Sequence, residues 1–248
     1  MSNAENLNEY QSAYEPDFKF NDENLLTLDW YSKRMCADIR NQQYQSILSL
    51  GIGHRIVSRN IANELNHSLK RHVLLEGSRE IIDNYQKQFN PPSQVEIIHT
   101  YFEAFKSDEK FDAIEAGFVL EHVDDPAIVI NHTKKFVKPG GKMYLAVPNA
   151  RSLHRIIGHE AGLLDNIYKL GKYDLQLGHK RYFDINSFSK LAIDCGLKIC
   201  NIEGILMKPV TTGQLQDLKL NENLWQALLK AGVHYPDMCN AIYMETIV

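Results

Sequence analysis

The sequence predicts an α/β protein built on a mostly parallel β-sheet with helices on both faces. Three observations carry that prediction. Short apolar segments alternate with amphipathic helical stretches, the pattern of βαβ units. The strand segments are nearly continuous apolar runs, as they must be when both faces of a sheet are covered. The last two strand segments lack a compact βαβ-like helix between them, which predicts an antiparallel pair.

Each element follows from its local pattern. Residues 1–22 are rich in Asn, Glu, Asp and Tyr and lack periodicity, so a mobile arm or surface strap is expected there. From Glu23 to Arg40 the spacing of Leu25, Leu26, Leu28, Trp30, Met35 and Ile39 is helical. Strands are predicted at 46–51, 72–76, 95–99, 111–116 and 142–147, and helices at 54–66, 78–89 and 126–137. In "KPGGK" (138–142), Pro139 stops the helix and the glycines permit a turn into the next strand.

The alternation breaks after residue 148. Short helices are predicted at "RSLHRIIGH" (151–159) and "AGLLDNIYKLG" (161–171). A helix at 185–195, a strand at 197–206, a second excursion at 211–237 and a last strand at 239–247 follow. The expected organisation is an N-terminal arm and helix over 1–44 and one domain over 45–248, with insertions at about 149–182 and 211–237.

The bulk numbers narrow the function classes. The 248 residues suit one α/β domain with insertions. Apolar residues at 44% and charged residues at 23% give an ordinary globular core and exclude wholesale disorder. The formal net charge is −4 with no basic stripe, so neither nucleic acid nor an anionic membrane is an expected partner. No apolar run approaches the roughly 20 residues of a membrane span, and the first thirty residues carry no apolar leader segment. Cys36, Cys195, Cys200 and Cys239 form no CxxC pair and complete no zinc spacing. Free thiols, a cytoplasmic location and no metal centre are expected.

Ligands of open α/β sheets bind beyond the carboxyl ends of the strands, so the loops there carry the chemistry. After the first strand comes "GIGH", where Gly51 and Gly53 allow a tight bend and close approach to a ligand. After the second comes "EGS" (76–78). Glu76 lies 23 residues beyond Gly53, at the distance from which an acid accepts ribose hydroxyls, although a solvated strand-end glutamate reads the same way. Gly77 and Ser78 complete that turn. After the third, "TYFEAF" (100–105) offers Phe102 or Tyr101 as a surface for an adenine ring, or Phe102 and Phe105 as plain core. After the fourth, "EAGFVLEHVDDP" (115–126) has small Ala116 and Gly117 leaving room for a ligand, and Asp124 or Asp125 capping a helix that opens with Pro126.

The order "LSLGIGH … LLEGS … FDAIEAGFVLEHVDDP … VKPGGKMYLAVPN" resembles the class I S-adenosylmethionine-dependent methyltransferases, above all the branch acting on small molecules, quinone precursors and sugars. The resemblance covers roughly residues 45–205. It implies a Rossmann-like three-layer sandwich with a seven-stranded sheet, its last strand antiparallel, and helical insertions over the active site. It implies S-adenosylmethionine as cofactor and S-adenosylhomocysteine as product. Gly51 and Gly53 would pass beneath the methionine part, Glu76 would hold the ribose, Phe102 and Glu103 would bracket the adenine, and Ala116 and Gly117 would line the methionine side. Arg34, with Trp30, is a candidate to close over the cofactor carboxylate or to pack at the surface. The chain departs from the family at Ser49, where an acid is usual, and at Arg55, where a third glycine is usual.

Methyl transfer from a sulfonium is an in-line displacement in which the enzyme aligns the acceptor and excludes water. An oxygen acceptor also needs a base, and His is the natural candidate at neutral pH. His122 follows the fourth strand, as base or as a structural hydrogen bond. His154, His159 and His179 lie in the 149–182 insertion, the usual place of the acceptor pocket in the family. "GHKRYFD" (178–184) brings His179, Arg181 and Tyr182 together, for substrate contact or as a solvated turn. Convergence of Lys169, Lys172, Lys180 and Arg181 would favour a phosphate-bearing or otherwise acidic acceptor. The leading expectation is a small-molecule O-methyltransferase, as monomer or homodimer. The alternatives are a cofactor-binding module without turnover, favoured by Ser49 and Arg55, and an NAD(P)-dependent oxidoreductase, disfavoured by the missing third glycine.

Overall fold

A computed structural model describes residues 20–248. The expected arm over 1–22 lies almost wholly outside the described residues. In chain order the elements are α1 (Asn21–Asn41), β1 (Ser46–Leu50), α2 (Ile56–Glu64), β2 (Arg71–Glu76), α3 (Arg79–Gln88), β3 (Val95–His99), β4 (Phe111–Gly117), α4 (Pro126–Thr133) and β5 (Val137–Pro148). They continue with α5 (Leu153–Glu160), α6 (Lys172–Gln176), α7 (Ile185–Asp194), β6 (Lys198–Ile205), α8 (Thr212–Asp217), α9 (Glu222–Gly232) and β7 (Ala241–Ile247).

The seven strands form one sheet in the order β3-β2-β1-β4-β5-β7-β6. Neighbours from β3 to β5 pair in parallel. β7 runs antiparallel to both β5 and β6 and lies between them. The strand order therefore reverses between β1 and β4, where open α/β sheets form their ligand crevice.

Alternation along the strands sorts the core onto two faces. Leu48, Leu50, Val73, Leu75, Ile114 and Leu145 meet Val129 and Ile130 of α4 and Phe188 and Ala192 of α7. Ile47, Ala113, Tyr144 and Tyr243 face the other way, against Tyr31, Met35, Cys36 and Ile39 of α1. Helix α1 is thus part of the core, because its apolar stripe has the sheet to cover.

The predicted strands appear within a residue or two, except β5. "KPGG" belongs to β5 as a bulge: Val137 pairs with Phe111, and pairing resumes five residues on at Lys142 opposite Ala113. Helix α4 ends at Thr133 and tightens into a 3₁₀ turn over Lys134–Phe136. Asp125 caps it, accepting the amides of Ala127 and Ile128 at 2.8 and 3.2 Å. The helix expected at 161–171 does not form. Gly162 adopts φ +70°, and the amides of Leu163 and Leu164 both turn back to the Gly158 carbonyl, which closes α5. The short helix of this segment is α6 instead, opening at Lys172.

Candidate active site

A cavity of about 910 Å³ lies at the carboxyl ends of β1, β2 and β4. That volume sits at the upper end of small-molecule sites, with room for a cofactor and an acceptor together. One end is built largely from backbone. Gly51 (φ +85°) and Gly53 (φ +48°) carry the chain through the turn after β1. The Gly51 amide donates to the Leu75 carbonyl at 2.7 Å, which ties this turn to the end of β2. Arg55 follows in the left-handed region at φ 54°, a backbone conformation that favours glycine.

Glu76 ends β2 and is 7% exposed. Its Oε2 accepts the Ile52 amide at 3.0 Å and its Oε1 the Ser78 amide at 2.8 Å. Burial pushes its carboxyl above the usual range, and the amides that face it oppose the rise. Phe102 and Glu103 lie in a 3₁₀ turn after β3, with the Phe102 ring across Gly51. Gly117 closes β4 and must be glycine: a Cβ there would lie 2.3 Å from the Tyr31 ring. That space lets Tyr31 donate to Glu115 Oε1 at 3.1 Å, and the Gly117 amide reaches the same oxygen at 2.9 Å.

The other end is built from side chains of two separate segments. Glu121 and His122 come from the loop after β4, and Asp174, His179 and Tyr182 from the insertion. The rings of His122 and His179 meet edge-on with centroids 4.8 Å apart. Neither carboxylate oxygen of the buried Glu121 has a hydrogen-bond partner among the described residues. Burial pushes its carboxyl up to about 7. Burial, with the neighbouring His179, takes the His122 imidazole down to about 3, so its ring is neutral at physiological pH. Tyr182 donates to Asp174 at 2.8 Å, and the Arg155 guanidinium stacks 4.2 Å from the Tyr182 ring centre. Burial works to raise Asp174, but the His179 imidazole at 3.5 Å and hydrogen bonds from Gly171 and Tyr182 hold it below its usual range. Among the described residues Glu121, His122 and His179 also bring one donor atom each within 4.8 Å of one another, a spacing a divalent cation could bridge.

Of the residues expected from sequence, Gly51, Gly53, Glu76, Gly77, Phe102, Glu103, Gly117, His122, His154, His179 and Tyr182 line this one cavity. Four do not. Arg34 projects to the side of β6, where its guanidinium pairs with Glu203 through Nε at 2.9 Å and a second, shorter contact. Ser78 accepts the Ile81 amide on its hydroxyl, capping α3, and donates its own amide to Glu76. Ala116 points into the opposite face of the sheet, because strand side chains alternate and Gly117 takes the cavity side. Arg181 clamps the loop after β4 through the carbonyls of Leu120, Val123 and Asp124. The expected convergence of positive charge is partial: Lys172 and Lys180 line the cavity, Lys180 pairing with Asp124 at 2.5 Å, whereas Lys169 pairs with Asp165 at 3.0 Å.

Sequence reasoning missed Glu115, Glu121 and Asp174. An acid inside an otherwise apolar parallel strand was the available signal for Glu115. It also missed the buried ion pair of Glu23 and Lys208, 2.6 Å apart, which ties the start of α1 to the segment before α8 on the cavity wall.

Residues 26–201 match the methyltransferase domain family. The chain belongs to the class I S-adenosylmethionine-dependent methyltransferases. A ubiquinone biosynthesis O-methyltransferase of Pseudomonas syringae pv. tomato is 25% identical to this methyltransferase over 201 residues, covering 79% of this chain and 82% of that one. The plantazolicin methyltransferase BpumL, solved with a triazolic desmethylPZN analog and S-adenosylhomocysteine, shares the fold at a TM-score of 0.64 and 18% identity, over 97% of this chain and 90% of that one. The N-methyltransferase NodS of Bradyrhizobium japonicum, solved with S-adenosylhomocysteine, does so at 0.56 and 13%, over 97% and 98%. The methyltransferase takes S-adenosylmethionine as its cofactor, and the oxidoreductase alternative falls. Among the described residues no helix is long and apolar enough to cross a membrane.

Proposed function

We propose that this methyltransferase methylates a hydroxyl oxygen of a small polar acceptor held against Glu121, His122 and His179. The observation that carries this reading is a buried carboxylate with both oxygens unpartnered, beside two imidazoles, in the same cavity as the glycine turn. The name of the Pseudomonas relative, an O-methyltransferase, supports oxygen as the accepting atom. S-adenosylmethionine, when bound, supplies an electrophilic methyl group on a sulfonium. Glu76 would accept the ribose hydroxyls, its orientation already fixed by two amides. The backbone at Gly51 and Gly53 would run beneath the methionine part, and Phe102 and Glu103 would flank the adenine.

The proton of the acceptor hydroxyl needs a base whose affinity lies near working pH. Glu121, pushed up to about 7, meets that condition, whereas the neutral His122 is too weak a base. His122 and His179 orient the acceptor. With Lys169 and Lys180 paired to carboxylates and Lys172 on the cavity wall, the pocket suits a hydroxylated ring or sugar, with room for an acidic group beside Lys172. The catalytic unit runs from α1 to β7, with acceptor-side insertions at about 149–182 and 211–237. Four free cysteines, three of them buried, suit a reducing cytoplasm.

The test is S-adenosylhomocysteine release with a panel of phenols, catechols, sugars and amines. Turnover is expected with a hydroxyl acceptor, rising with pH through about 7 as Glu121 ionises. Glu121→Gln is expected to lower kcat about 100-fold and to leave S-adenosylhomocysteine affinity unchanged. Methylation confined to amines, or wild-type turnover by E121Q, would remove this reading. Turnover lost on chelation and restored by magnesium would instead assign the trio to a cation.

A further inference from the structure

The family resemblance implies an acid at the end of β1, where this chain has the uncharged Ser49. We propose that Glu115, on the neighbouring strand, supplies the negative charge and binds the ammonium group of the cofactor's methionine moiety. The proposal rests on S-adenosylmethionine binding in the cavity described above.

Ser49 and Glu115 are register partners in the parallel pair of β1 and β4. Their side chains share a sheet face, one strand spacing apart, at the point where the strand order reverses. Only Glu115 reaches the cavity wall. The Ser49 hydroxyl sits between two neighbours, 2.9 Å from Nε2 of the buried His72 on β2 and hydrogen-bonded to the Glu115 carboxyl on β4. Moving the acid one strand across therefore keeps it at the same crevice.

Glu115 is also held in place. It is 3% exposed, and its Oε1 receives both the Tyr31 hydroxyl and the Gly117 amide. Tyr31 reaches it only because Gly117 has no side chain. These donors and the Ser49 hydroxyl are all neutral, and among the described residues no cation pairs with Glu115. A buried carboxylate in that setting lacks a countercharge, and burial accordingly pushes Glu115 up to about 7. An ammonium group arriving in the cavity would supply the missing charge. A purely structural tie between α1 and β4 would place the same hydrogen bonds, so the test must separate the two roles.

Calorimetry with two ligands does so. S-adenosylhomocysteine carries the ammonium, whereas 5′-methylthioadenosine keeps the adenine, ribose and thioether without the amino-acid part. Glu115→Gln preserves shape and is expected to weaken S-adenosylhomocysteine about 10- to 100-fold, the worth of a charge-assisted hydrogen bond. Binding of 5′-methylthioadenosine should change less than about twofold, within the scatter of a remote substitution. The double variant Ser49→Asp with Glu115→Ser, which puts the acid back on β1, should recover most of the lost affinity. Wild-type S-adenosylhomocysteine binding by E115Q, or equal loss of both ligands, overturns the proposal. Failure of the unmodified protein to bind either ligand would overturn the cofactor assignment itself, a distinguishable result.

Discussion

The two ends of the cavity are made differently. The glycine-turn end is built from main chain at strand ends, with side chains such as Glu76 locked by amides a few residues away. The insertion end is built from side chains that meet across long sequence separations, such as Glu121 and His122 against Asp174, His179 and Tyr182. The first construction fixes geometry through the sheet and suits a constant ligand. The second depends on how an irregular segment folds over the sheet and is free to change with the acceptor. One cofactor can thus serve many acceptors on one scaffold.

Three substitutions probe that contrast. Glu76→Ala should have the largest effect, weakening S-adenosylhomocysteine by about 100-fold or more in calorimetry, if the fixed carboxylate holds the ribose as proposed. Affinity within a few fold of the wild type would show that the first end does not depend on this side chain. Gly117→Ala drives a methyl group into the Tyr31 ring and should cost about 1–3 kcal/mol in chemical denaturation. No loss would mean that Tyr31 moves freely and the β4 end is softer than its burial implies. Arg55→Gly should have the smallest effect, raising stability by up to about 1 kcal/mol as left-handed strain is relieved, less the added chain entropy of glycine. A destabilised variant would show that the arginine side chain stabilises the turn by more than its backbone costs.

The same contrast explains what was legible in the sequence. Strand-turn-helix units announce themselves locally, so the βαβ order, the glycine turn, Glu76 at the end of β2 and a cap at Asp124 or Asp125 were all readable. The "KPGG" bulge was not, because pairing across to β4 decides whether such residues extend a strand or end it. Arg34 and Arg181 carry the right chemistry for anions, yet each is committed to a partner distant in sequence, Glu203 and the loop after β4. Ala116 and Gly117 look equivalent as small residues until strand alternation assigns one to each face. Glu115 was not legible as a site residue, because only the register of β1 with β4 sets it beside Ser49.

The position of β7 also bears on how the protein is made. β6 has β7 as its neighbour in the sheet, and β7 reaches the sheet only through its other edge, on β5. During synthesis β6 therefore emerges tens of residues before its strand partner, with α8 and α9 in between. The parallel half, from β3 to β5, can assemble while that edge waits. Closing it is a late, high-contact-order step, and the waiting edge is where a nascent chain would be most exposed to aggregation or in need of a chaperone.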